Sequence, residues 1–161
     1  MKIINFLDPA IKRKKDLTNK NYQLIKNTKL PLPSEVEISE SGVCNRKCTF
    51  CPRSAPDFKE VKEFISPQLH SKLIDQLKDE NYRGVVRYSG FVEPLLDKNI
   101  FNLISETSSK LPNAKVEIVT NGDVLNKDRL KKIFKSGLTT LLISVYDGPE
   151  DAEKFDKMCL D

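Results

Sequence analysis

Polar and apolar residues alternate through residues 35–39, with Val36 and Ile38 on one side and Glu35, Glu37 and Ser39 on the other. That period of two predicts a strand with one apolar face. Residues 84–89, 115–120 and 140–145 form three more short apolar stretches and are predicted as strands. Between them the spacing becomes helical. Ser66 and Pro67 open a first helix as cap and first helical residue, and Leu69, Leu73, Ile74 and Leu77 share its buried stripe. His70 falls beside that stripe and is expected at the helix boundary. Asp97 is expected to cap a second helix, with Ile100, Leu103, Ile104 and Thr107 on one side and Leu111-Pro112 closing it. Asn126 caps a third, with Leu125 and Leu130 placed as a hydrophobic staple and Gly137 as its stop. Asp147-Gly148-Pro149 begins a fourth, whose first turn is acidic.

Strands that alternate with helices make an α/β fold, a parallel sheet with right-handed crossovers. Sites in such folds gather at the C-terminal ends of the strands. The stretch 52–65 is expected to be irregular, with Pro52 preventing a helix from starting and Pro56 prolonging the loop. Strand phase places Val36, Ile38, Val86, Tyr88, Val116, Ile118, Leu141, Ile143 and Val145 beneath helices. It turns Glu37, Ser39, Arg87, Ser89, Glu117, Leu142 and Ser144 to the opposite face. So polar a face suggests a solvated or substrate-filled interior, with Arg87 paired to one or both of Glu37 and Glu117.

The 161-residue length suits one domain with a real core. Residues 1–33 are expected to be a basic leader to a core at 34–161, with Pro31 and Pro33 stiffening the junction. The leader's Lys12-Arg13-Lys14-Lys15 run is either a solvated face or an arm for an acidic partner or RNA. A net charge of +4 is too small to argue for nucleic acid by itself. No apolar run is long enough to span a bilayer, and residues 3–7 are too short for a signal sequence, so a cytoplasmic location is expected.

The chemistry lies in the cysteines. Cys44, Cys48 and Cys51 form a C-x3-C-x2-C run, and Cys159 stands far downstream. A disulfide is disfavoured in a reducing compartment. Zinc would require a fourth ligand, from His70 or Cys159. Three thiolates on an iron–sulfur cube would leave one iron open, where chemistry can occur.

This run resembles the cluster motif of the radical S-adenosylmethionine (SAM) superfamily. The resemblance implies a 4Fe-4S cluster on Cys44, Cys48 and Cys51, with SAM chelating the fourth iron and an injected electron cleaving it to a 5′-deoxyadenosyl radical. Further motifs follow in the family's order. Phe50 occupies the aromatic position beside the adenine, and Ser89-Gly90-Phe91-Val92-Glu93-Pro94 resembles the loop that contacts the SAM amino group. Thr120-Asn121-Gly122 resembles the turn near the cofactor, and Ser144 in Ser144-Val145-Tyr146-Asp147-Gly148 resembles the serine that contacts ribose or carboxylate. Where the family has Gly before the Glu, this chain has Val92. The likeness covers about residues 34–157 and leans towards the branch with SPASM or Twitch extensions.

It implies an incomplete TIM-type barrel with four readable strands of the usual six, so this chain is expected to bind SAM poorly or to be unstable, with the outer edge of the fourth strand unpaired. It also implies a one-electron donor of flavodoxin or ferredoxin type and a substrate that the sequence does not identify. The rival reading is a non-catalytic zinc or iron–sulfur module, completed by Cys159 or His70, that acts in partner or RNA binding.

Overall fold

The computed structural model describes residues 15, 16, 19 and 32–160, with side chains through 158. Most of the basic leader therefore lies outside the described residues, as does the side chain of Cys159. The described chain runs β1 (Glu35–Ile38), α1 (Pro67–Asp79), β2 (Val85–Tyr88), α2 (Ile100–Lys110), β3 (Lys115–Thr120), α3 (Lys127–Lys135), β4 (Thr140–Ile143) and α4 (Pro149–Leu160). The four strands pair in parallel in the order β1-β2-β3-β4, as successive βα units should.

The register lines Val36 up with Val86 and Val116, and Ile38 with Tyr88 and Ile118. These rows face α1 and α2, where Ile74, Leu103 and Ile104 complete a core from which water is excluded. Burial of this apolar face, worth about 25 cal/mol per Å2, is the main stabilising term. The caps at Ser66 and Asn126 form as expected, accepting from Leu69 N at 3.1 Å and Arg129 N at 2.9 Å. Gly137, with φ 95°, ends α3 in the left-handed region.

Several expectations change. Asp97 does not cap α2; it closes a 3-10 turn, Pro94–Leu96, with its Oδ1 accepting from Asn99 N at 2.8 Å. The Glu93-Pro94 turn delays the helix, so Asn99 takes the N-cap position. Pro52 does not exclude helical geometry but starts a one-turn 3-10 helix, Pro52–Ser54, where its missing N–H is harmless. β4 stops at Ile143, and Val145 is exposed rather than covered by a helix.

His70 is not at a boundary. It is wholly buried, its Nδ1 2.8 Å from Glu106 Oε2 and its Nε2 2.7 Å from Tyr88 Oη. Tyr88 Oη also lies 2.7 Å from Thr107 Oγ1. These partners belong to β2 and α2, so the helix pattern around His70 carries no sign of them.

On the opposite face of the sheet, Arg87 pairs with Glu117 at 2.9 Å, as expected, but its second partner is Glu35 rather than Glu37. Glu37 is level with Arg87 in the register but exposed, its Oε1 3.7 Å from where a Cβ on Gly90 would be. The arginine leans along its strand towards Glu35 instead.

Candidate functional site

The loop after β1 returns on itself through Gly42 N to Glu63 O at 3.0 Å and Ile65 N to Glu40 O at 2.7 Å. This anchors residues 44–51 above the strand ends. Within the loop, Cys51 N donates to Cys48 O at 2.9 Å, and Arg46 N lies 3.5 Å from Cys44 Sγ. Arg53 is buried beneath it and donates to the Gly42 and Phe91 carbonyls at 2.9 and 3.1 Å. Its Nη2 also meets Glu60 at 3.0 Å. That staples the cysteine loop to the loop after β2, a role the sequence reading missed for Arg53.

Cys44, Cys48 and Cys51 line one cavity together with Phe50, Ser89, Gly90, Glu93, Thr120, Asn121 and Ser144. The cavity is about 530 Å3, including the part open to solvent. Phe50 is 71% exposed, its ring 5.4 Å from that of Tyr146, so an aromatic pair stands at the mouth. Gly90 takes the positive φ of its loop, 117°, and the non-glycine Val92 needs none. A Cβ at Gly90 would lie 2.2 Å from Ser39 Oγ, so glycine is required there.

Glu93 is almost wholly buried and its carboxylate accepts three hydrogen bonds. Oε1 accepts from Leu95 N at 3.0 Å and Thr120 Oγ1 at 2.6 Å, and Oε2 accepts from Asn121 N at 2.7 Å. The side chain thus ties the β2 loop to the β3 loop while lining the cavity. Burial raises the Glu93 pKa above the usual carboxylate range despite these three bonds.

Sequence reasoning also passed over Glu40. It is completely buried, accepts from Ser41 Oγ at 3.1 Å through Oε1, and leaves Oε2 without a partner. Burial pushes its pKa up to about 7, with Asp97 and Glu93 acting in the same direction and the Ser41 bond against it. The folded chain therefore holds a proton that the unfolded chain releases near 4.5, so stability falls as pH rises from about 4.5 to about 7 and then levels. Glu40→Gln should remove that slope, gaining about 1–3 kcal/mol relative to the native chain at pH 8 and little at pH 4.5. Urea unfolding across this range checks it; parallel pH profiles would contradict it.

The donor set fits an iron–sulfur cube. Three thiols from one short loop line one cavity. A cube takes each thiolate at a separate iron.

The family model for the Radical SAM superfamily matches residues 38–159. The chain belongs to the radical SAM superfamily. Members use a 4Fe-4S cluster and SAM, and the relatives found are enzymes. The chain is 32% identical over 115 residues to S-adenosyl-L-methionine-dependent 2-deoxy-scyllo-inosamine dehydrogenase of Niallia circulans, covering 71% of this chain and 46% of that protein. It is 31% identical over 132 residues to GTP 3′,8-cyclase of Aquifex aeolicus, covering 78% and 40%. Among solved structures it resembles BtrN in complex with AdoMet and 2-DOIA, with a TM-score of 0.71 and 30% identity over 78% of this chain and 52% of that one. This radical SAM chain thus has the partial TIM-type fold of its family and spans about half the length of the relatives it matches. Among its described residues no helix is long and apolar enough to cross a membrane.

Proposed function

We propose that this chain carries the cluster- and SAM-binding part of a radical SAM enzyme. Cys44, Cys48 and Cys51 would hold a 4Fe-4S cluster beside SAM. Bound together and given one electron by an external donor, the two would supply a carbon radical able to abstract hydrogen from a substrate. The observation that carries this reading is the convergence of loops from all four strand ends on one cavity beside the three thiols.

Within that cavity the residues divide the work. Phe50 offers an aromatic face for the adenine, beside Tyr146. The Ser89-Gly90 backbone comes close because Gly90 has no side chain, and it serves the SAM amino group. Ser144 is half-buried at the cavity wall and offers a hydroxyl to ribose or carboxylate. Thr120 and Asn121, fixed by Glu93, shape the floor and exclude water from the reacting centre. Arg46 and Arg53 also line the cavity and, tied to carboxylates, hold its loops in place. A flavodoxin- or ferredoxin-type donor supplies the electron.

Anaerobic reconstitution with iron and sulfide tests this. The chain should turn brown, take up about four irons, and form 5′-deoxyadenosine from SAM only when a reductant is present. A colourless product with one tightly bound zinc would overturn the reading.

A further inference from the structure

One side chain joins three of the strand-end loops. Arg46 lies between Cys44 and Cys48 in the chain. Its guanidinium donates twice to Asp123, from Nε to Oδ2 at 2.7 Å and from Nη2 to Oδ1 at 2.5 Å, and once to Asp147 Oδ2 at 2.8 Å. Asp123 follows β3 and Asp147 follows β4. Asn45 repeats the tie: its Nδ2 donates to Asp123 Oδ2 at 2.8 Å, and its Oδ1 accepts from Asn121 Nδ2 at 2.8 Å. The Arg46 guanidinium also stands 5.5 Å from the Tyr146 ring centroid, and Tyr146 packs on Phe50, the neighbour of Cys51. The loop is gripped on both sides of Cys48 by protein groups alone.

We propose that Arg46, held by Asp123 and Asp147, is a positioning residue that sets the cysteine loop in its cluster-ready shape and slows release of the cluster once bound. This rests on the assignment of Cys44, Cys48 and Cys51 as cluster ligands. Iron can be captured at three corners only if the loop is ordered, and a loop already ordered has met that entropic cost. Exposed ion pairs add little to global stability. The Arg46, Asp123 and Asp147 side chains are 20%, 31% and 64% exposed, so the clasp acts mainly on its loop and only weakly on the whole fold. What distinguishes it from an ordinary surface pair is the bidentate fork shared between two carboxylates.

The test compares the reconstituted 161-residue chain with Asp123→Ala, Asp123→Glu, Arg46→Lys and Lys110→Ala. The readouts are iron per chain, the anaerobic rate at which excess EDTA bleaches the visible absorption, and the melting temperature of the iron-free protein. Asp123→Ala and Arg46→Lys should bleach about tenfold faster or more, while iron-free melting stays close to the native chain. Asp123→Glu keeps a carboxylate for the fork and should recover most of the native rate. Lys110→Ala breaks ion pairs to Asp75 and Glu106 on the helices and should bleach as the native chain does. Native bleaching in Asp123→Ala, or equal acceleration in Lys110→Ala, overturns the proposal. Should Asp123→Ala fail to fold, Arg46→Lys decides by the same rate, because lysine keeps the charge but not the fork. A native chain that takes up no iron overturns the cluster reading and the clasp with it; a native chain that loads iron but is matched by the variants overturns the clasp alone.

Discussion

Arg87→Met should destabilise the chain by about 3–5 kcal/mol, because it breaks a buried ion pair by removing one partner. Arg87 and Glu117 are both buried, and their contact is 2.9 Å. Glu35 holds the other arm of the guanidinium. Removing the cation takes the opposite charge away from Glu117 in a low-dielectric site, and breaking such a buried pair costs well above the roughly 0–1 kcal/mol of an exposed pair. The double variant Arg87→Met, Glu117→Leu should recover most of the loss, since the buried carboxylate goes with the cation and only Glu35, which reaches solvent, loses its partner. Urea unfolding of the three chains checks this. A single-variant loss under about 1 kcal/mol would mean that the pair is solvated.

Glu93→Ala should cost a comparable amount, about 3–5 kcal/mol. It would orphan the N–H groups of Leu95 and Asn121 and the Thr120 hydroxyl, at roughly 1–3 kcal/mol for each buried group. Glu93→Gln should cost less, about 1–3 kcal/mol. A glutamine has one acceptor oxygen, so whichever way the amide turns, one of the two N–H groups faces another donor. Both variants should weaken SAM binding more than the stability loss alone explains, because Glu93 fixes the β3 loop at the cavity floor. Isothermal titration with SAM on the folded fraction separates the two effects. Native stability in Glu93→Ala would contradict the assignment of three bonds to this carboxylate.

The fold was legible because its signals are local. Strand alternation, the Ser66 and Asn126 caps and the Gly137 stop each depend on a few neighbouring residues. The order of the strand-end motifs was equally legible, since parallel βα units bring successive strand ends to one side. What was hidden depends on partners distant in the chain. His70 looked like a boundary residue because Glu106 and Tyr88, which bury and satisfy it, lie on other elements. Glu35 replaced Glu37 beside Arg87 because the lean of a long side chain does not follow from register. Arg46 carries no local sign of its role in the sequence. Its role appears only when Asp123 and Asp147, 77 and 101 residues away, are seen beside it. Glu40 gave no signal, because burial of an acid just before a polar loop runs against every compositional expectation.

The central claim is that three cysteines hold a cluster whose fourth iron is open to SAM. The most direct measurement is the low-temperature EPR spectrum of the anaerobically reconstituted, dithionite-reduced chain, recorded with and without SAM. The account predicts a reduced-cluster signal whose g-values shift when SAM is added, and no such signal from Cys44→Ala, Cys48→Ala or Cys51→Ala. A signal unmoved by saturating SAM, or one that survives loss of any of the three cysteines, would contradict it.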